Sequence, residues 1–427
     1  MRLIIAFLFL AIVLPAQNLV ITNVSVIPIH TNTVLNNVNV YITGGVIDKI
    51  VAADVKLPFM NYKIVDGKGK FLIPGLADMH AHFPEKNSVF RMQEYLRLQI
   101  AAGVTTLRSM RGEDSHLKLR DSVQKGQKSA PDIFVSFVFP DASDSLMNKD
   151  KISEIVYAAK IKKFDFIKYL GGLKAKNMHL LSEACYEYKI PLAGHAYNNS
   201  LSQSVQRDFV SVEHFQPILS AFAGGTPSNE DLLKMIKDKK VALCPTLSFY
   251  NVISFRYTEQ ELANRNGMNV IRKETRDIWQ EEYNESMEGV KKMLDTDFEN
   301  KHINGYKKKF AEFDGILKML ADKDVLLLLS PDEGMYNVPG FAMAEEMKLY
   351  KNAGLSNYQI LKCATINAAM VLKNDKTNGT IESGKKANLV LLNGNPIDNI
   401  DNIKMVEGTI INGKYFTQKE ILGGGKK

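Results

Sequence analysis

His80 and His82 stand two positions apart at the end of the stretch Pro74-Gly75-Leu76-Ala77-Asp78-Met79-His80-Ala81-His82, behind an apolar lead-in from Lys70 to Pro74 that reads as a short buried strand. On a strand, alternate side chains share a face, so both imidazoles project together from its C-terminal end. Neutral imidazole is the commonest protein ligand for divalent metals, and two on one rigid element make half a coordination shell. Such a pair also arises by chance on a core or surface strand, so the polar residues that end the other apolar runs decide the reading. Asp165-Phe166-Ile167-Lys168-Tyr169 sets a lysine between apolar neighbours. Gly194-His195-Ala196-Tyr197 and Val212-Glu213-His214 each carry a histidine, and four leucines and a serine lead into Pro331-Asp332-Glu333-Gly334. Four imidazoles, one amine and one carboxylate at the ends of apolar runs are a donor set for metal-assisted chemistry.

A single cavity must collect these groups. Eight short apolar runs are predicted as strands: Phe71–Ile73, Thr105–Ser109, Ile133–Phe139, Phe166–Tyr169, Leu192–His195, Ser211–His214, Val241–Pro245 and Val325–Ser330. Amphipathic helical stretches separate them, the alternation an α/β fold of the (β/α)8 TIM-barrel type requires, with its chemistry at the C-terminal strand ends. Both ends of the chain are β-rich, with turns at Asp66-Gly67, Asn393-Gly394 and Asn412-Gly413. Residues 17–70 and 376–427 are therefore assigned to a small β-sandwich built from both termini, and 71–375 to the barrel. The interval 248–323 is charge-rich and helical, and holds the only tryptophan, Trp279. It is either a long barrel crossover or a lid over the strand ends.

The totals fit an ordinary globular protein with enough apolar material for a large core: 427 residues, 45% hydrophobic, with 54 basic against 47 acidic side chains. The basic excess is mild and spread out, with no Arg-rich, aromatic-interleaved patch, so nucleic acid is not expected as a partner. Cys185, Cys244 and Cys363 are odd in number and lack metal spacing, and read as buried free thiols. Arg2, the apolar run Leu3 to Leu14, and Pro15-Ala16 read as a signal peptide over residues 1–16. That places the protein in the periplasm or outside the cell, anchored to the membrane if the signal is retained. The run is too short for a comfortable span, and no stable span is expected once it is removed.

Val65-Asp66-Gly67-Lys68-Gly69, the Pro74–His82 stretch, Ala102-Gly103-Val104-Thr105-Thr106-Leu107-Arg108, Lys168, His195, His214 and Asp332 together resemble the amidohydrolase superfamily. So does the tail Gly379-Thr380-Ile381-Glu382-Ser383-Gly384-Lys385-Lys386-Ala387-Asn388-Leu389-Val390. The resemblance is closest to the prolidase-like and imidazolonepropionase-related branch, and spans nearly the whole chain after the signal. It implies a distorted (β/α)8 barrel with a β-sandwich, and two divalent metal ions, most often Zn2+. By this resemblance His80, His82 and Asp332 hold the more buried ion, His195 and His214 the outer one, and Lys168 bridges them in its N6-carboxylated form. An ammonium cannot ligate a cation, whereas a carbamate offers two anionic oxygens; burial would lower the lysine pKa and free the amine to react with carbon dioxide.

The implied chemistry is hydrolysis of an amide C–N bond. Two cations sharing a water lower its pKa and yield a bridging hydroxide, and the outer ion polarises the substrate carbonyl. Asp332 is the catalytic acid–base, moving a proton from that water to the leaving amine. For substrate contacts, Tyr197 lies two residues past His195 and is expected to face the same cavity, while Tyr169 is expected to face away into the core. Arg108 is a receptor for an acidic group or a structural ion pair, and Met335 to Met347 reads as core or loop packing. The sequence departs from the family in Ser330-Pro331 before Asp332, in Ser109, and in Asn388.

These readings converge on a secreted amidohydrolase, a prolidase- or carboxypeptidase-like dipeptidase whose partner is a small molecule or dipeptide and which could form a homo-oligomer. A cyclic-amide hydrolase or N-acyl deacylase is the alternative within the enzyme class. A catalytically silent barrel that only binds is the alternative outside it, and the complete donor set argues against it.

Overall fold

The computed structural model describes residues 18–55, 60–85, 88–140, 144–224 and 226–423. The signal-peptide expectation, 1–16, lies outside the described residues.

Seven parallel strands form the barrel wall in sequence order: Leu76–Ala81, Val104–Ser109, Asp132–Val138, Phe166–Tyr169, Leu192–His195, Phe209–Glu213 and Ala242–Cys244. They are short, apolar and buried over most of their length, as strands packed on both faces must be. The eighth expected strand, Val325–Ser330, is present only as a single parallel bridge, Leu243 to Leu327. The backbone N–H of Leu328 donates to Leu243 C=O at 2.8 Å, and that of Met79 to Leu329 C=O at 3.4 Å. This segment therefore joins the seventh strand to the first and closes the ring, as the α/β barrel reading requires.

One strand assignment is corrected. Phe71–Pro74 is not the first barrel strand; it pairs antiparallel with Leu389–Leu392 and parallel with Ser25 and Val26 in the terminal sheet. The switch falls at Gly75, where a Cβ would lie 2.0 Å from Thr105 Oγ1. Only glycine lets the backbone press against the second barrel strand there and leave one sheet for the other.

The sheet built from both ends of the chain has eight strands, with Asn18–Val26 and Leu389–Leu392 near its centre. Its alternating apolar residues, among them Leu19, Ile21, Val40, Ile42, Leu389 and Leu391, form a core of their own. Each fully buried Leu or Ile contributes about 1.5–3 kcal/mol, so this sheet carries a substantial hydrophobic core separate from that of the barrel.

The 248–323 interval is helical, with Lys273–Leu294 and Gly305–Asp322 its longest elements. Thr275, Trp279 and Tyr283 recur every four residues on one buried face of the first of these. That face packs on the barrel: Trp279 sits edge-on to Phe90 at 5.7 Å, and the Tyr336 hydroxyl donates to Gln280 Oε1 at 2.7 Å.

Candidate active site

The imidazoles meet at the C-terminal mouth of the barrel. Ring centroids lie 5.3 Å apart for His80–His82, 5.0 Å for His80–His214 and 4.9 Å for His195–His214. Asp332 reaches into the same cluster, its Oδ1 3.3 Å from His82 Nε2 and 3.9 Å from His80 Nε2, and its Oδ2 3.7 Å from His214 Nδ1. Lys168 enters from the fourth strand with its Nζ buried and without a hydrogen bond. His214, Thr246 and Asp332 all adopt positive φ, at 73°, 53° and 52°, just beyond their strands. Non-glycine residues held there cost about 1–3 kcal/mol each, and at all three the chain turns sharply enough to aim a side chain inward. Ser330 helps to set Asp332: its hydroxyl donates to Asp78 Oδ1 at 2.5 Å and accepts the Asp332 N–H at 3.3 Å.

The hydrogen-bond partners fix two tautomers. His80 Nδ1 lies 2.9 Å from Glu213 Oε2 and donates to it, which leaves the Nε2 lone pair toward Asp332. His195 Nδ1 donates to Leu170 C=O at 2.8 Å, again freeing Nε2. Burial would push the Glu213 carboxyl up, but the charges of Arg108 and Lys168 outweigh it and hold the group below its usual value.

Burial first, and for most of them the Lys168 charge next, keeps the imidazoles neutral: His82 falls to about 3, His195 to about 4, and His80 and His214 well below the ordinary value. Burial also lowers Lys168 to about 8 and raises Asp332 to about 7. The cluster therefore holds its histidines in the form that ligates metal and its lysine within reach of the free amine.

Arg108 is not at the cavity. Its guanidinium is buried against the Glu213 carboxylate and donates to Ser211 Oγ at 2.9 Å, the structural ion pair of its two readings. Tyr197 does not face the cavity either, because the strand ends at His195 and alternation stops in the 3-10 turn after it. Its ring is buried under the Arg207 guanidinium, 4.4 Å away. Tyr169 is buried in the core as expected, edge-on to Phe209 at 6.1 Å, and also borders the cavity. Met343 and Met347 are core residues as expected, whereas Met335 lines a cavity.

Several side chains of the site escaped the sequence reading. Glu213 was legible in principle: it and Ser211 share a strand face with period two, so a carboxylate in the barrel interior needed a cation such as Arg108. Glu333 accepts the His82 N–H at 2.8 Å and the Tyr95 hydroxyl at 2.8 Å. Tyr250, whose ring lies 5.7 Å from that of His214, comes from the helical insert and carries no local signal.

Two cavities flank the cluster. One, of about 440 Å3, includes His82; the other, of about 710 Å3, includes His195 and His214.

A family model described as the amidohydrolase family matches residues 71–415. The chain belongs to this family. Comparison with curated proteins gives no match. Among solved structures it is similar to a Xaa-Pro dipeptidase with bound methionine, at 17% identity and a TM-score of 0.69, covering 94% of this chain and 100% of the other. A prolidase complexed with N-methylphosphonate-L-proline gives 17% and 0.68, covering 94% and 99%. A. niger ochratoxinase gives 14% and 0.68, covering 94% and 96%. These likenesses establish a shared fold.

Proposed function

We propose that this chain is a binuclear metal-dependent hydrolase of an amide C–N bond in a dipeptide or similarly small molecule, exported by its N-terminal segment. The observation that carries the reading is the convergence of six polar side chains from separate parts of the barrel on one buried point. The residues fit a pair of divalent cations. Lys168 Nζ and His82 Nε2 are buried without hydrogen bonds, and buried polar atoms are rarely left so unless something else satisfies them. Among the described residues, ligand atoms of His80, His214 and Asp332 all lie within 4.8 Å of one another. His80, His82 and Asp332 would hold one cation and His195 and His214 the other, with Lys168 shared between them as its carbamate. Neutral imidazoles with anionic oxygens suit zinc.

When bound, such cations supply Lewis acidity, lowering the pKa of water and polarising the substrate carbonyl. The remaining work falls to this chain's own groups. The Asp332 carboxylate accepts a proton from the attacking water and returns it to the leaving nitrogen. Glu213 fixes the ring of His80 through Nδ1, and Leu170 C=O fixes that of His195. Lys168, as the neutral amine, adds to carbon dioxide and releases one proton to give the carbamate.

Among the described residues no helix is long and apolar enough to cross a membrane; export rests on Arg2 and the apolar run after it. The deciding experiment is a hydrolysis screen of dipeptides, N-acyl amino acids and cyclic amides on protein loaded with zinc or manganese, alongside metal analysis. About two ions per chain with turnover of one class supports the proposal. Full loading without turnover of any class would leave a silent binding barrel.

A further inference from the structure

The two cavities beside the histidine cluster differ in chemistry. The one on the His195 and His214 side presents neutral polar groups, among them Asn198, Asn199, Gln216 and Tyr250, its one carboxylate, Glu213, being already paired with Arg108 and His80. The one on the His82 side is walled by Phe90, Trp279 and Met335, and carries Glu85, Glu282 and Glu333, the last already accepting from the His82 N–H and the Tyr95 hydroxyl. Two of these residues, Trp279 and Glu282, come from one helix of the insert, three positions apart. That spacing puts them on neighbouring positions of one helix face. Glu85 is already engaged, 3.6 Å from the Arg111 guanidinium. Glu282 is exposed at the cavity wall and has no ion pair or hydrogen bond among the described residues, so its carboxylate is open to a cation entering the cavity.

We propose that the His82-side cavity is a specificity pocket for the amino-terminal half of the substrate, taking a bulky apolar side chain against Trp279 and Phe90 and the free α-ammonium against Glu282. This rests on the amide-hydrolase reading and narrows it: the preferred substrate is a dipeptide with an apolar first residue and an unblocked amino group, rather than an N-acyl amino acid. The scissile bond then lies at the histidine cluster, and the second residue occupies the neutral polar cavity. An aromatic wall and a carboxylate together suit an ammonium on an apolar stem, since the ring faces attract the cation as the carboxylate does.

Trp279 is the only tryptophan in the chain, so its fluorescence reports on this pocket without any turnover. The full-length, metal-loaded protein would be titrated with phenethylamine and with 2-phenylethanol, which share a shape and differ in charge. The amine is expected to shift the emission and bind about tenfold more tightly, with Glu282→Gln abolishing the preference and Glu282→Asp restoring part of it. Equal affinity for the two probes, or a preference untouched by Glu282→Gln, overturns the proposal. A parallel assay compares phenylalanyl-glycine with its N-acetyl form. Equal kcat/KM for both would overturn the specificity pocket and leave the amide-hydrolase reading standing. No hydrolysis of either, with the Glu282-dependent amine preference intact, would support the pocket and count against that reading.

Discussion

Glu213 holds His80 from behind: its Oε2 accepts the His80 Nδ1 proton at 2.9 Å, while its other oxygen takes the buried Arg108 guanidinium and the Ser211 hydroxyl. Three barrel strands are thus tied through one carboxylate that orients an imidazole of the proposed metal centre. Outer partners of this kind typically account for 10–100-fold in metal affinity. Glu213→Gln should therefore lower metal affinity by about that factor, read by competition with a chelator, and lower turnover in proportion. Arg108→Met should instead act on stability. It leaves Glu213 buried and uncompensated, at a cost of about 3–5 kcal/mol, visible as a lowered denaturation midpoint.

Asp332 is the proposed proton carrier, and the metal can be held without its acid–base function. Asp332→Asn should retain much of the metal, since the amide oxygen still ligates, yet lose about 10^2–10^4-fold in turnover. Metal analysis and kcat measured on the same preparation check this. Substantial turnover in a loaded Asn variant would remove Asp332 from its role.

Lys168 reacts with carbon dioxide only as the neutral amine, and burial has brought its pKa to about 8. Carbamate formation should therefore fall about tenfold per pH unit below that value. Metal loading of the demetallated protein should rise with added bicarbonate, more so at pH 8 than at about pH 6. Lys168→Met should bind less metal and show no response to bicarbonate.

Tyr197, the tyrosine that sequence spacing singled out, lies away from the cavity, and Tyr250, which carries no sequence signal, lines it. Tyr197→Phe should leave KM and kcat unchanged, because that ring is buried beneath Arg207. Tyr250→Phe should alter KM, because that side chain lines the cavity beside His214. The reverse pattern in steady-state kinetics would refute the placement of both.

Glu346 accepts the backbone N–H groups of Leu247 and Ser248 at 2.9 and 2.6 Å, yet burial still raises it from 4.5 to about 8. A carboxyl whose folded pKa is raised binds more protons folded than unfolded between those values, so stability declines as pH rises from 4.5 to about 8 and is level above. Glu346→Gln should flatten this part of the profile in denaturant titrations across the range.

The sequence by itself determined the parts that depend on local order. Apolar runs of three to seven residues alternating with amphipathic stretches point to a barrel, and the polar residues ending five of the eight expected runs point to a candidate site, which is why His80, His82, Lys168, His195, His214 and Asp332 were all legible as candidates. Period-two alternation holds only while a strand lasts. It holds along Leu76–Ala81, which carries His80 although the sequence alone puts the strand at Phe71–Ile73, and it fails for Tyr197, where the strand had ended two residues earlier.

Tertiary structure decided what lies far apart in the chain. The Phe71–Pro74 run joined the terminal sheet because partners from both ends of the chain met it there, and because Gly75 allows the crossing. Arg108 found its carboxylate 105 positions away. Trp279 and Glu282 became cavity walls only when their helix docked over the barrel mouth. Local spacing fixes which way a side chain leaves its own element. It carries no information on which element packs opposite, and burial, charge pairing and every shifted pKa of this site depend on that packing.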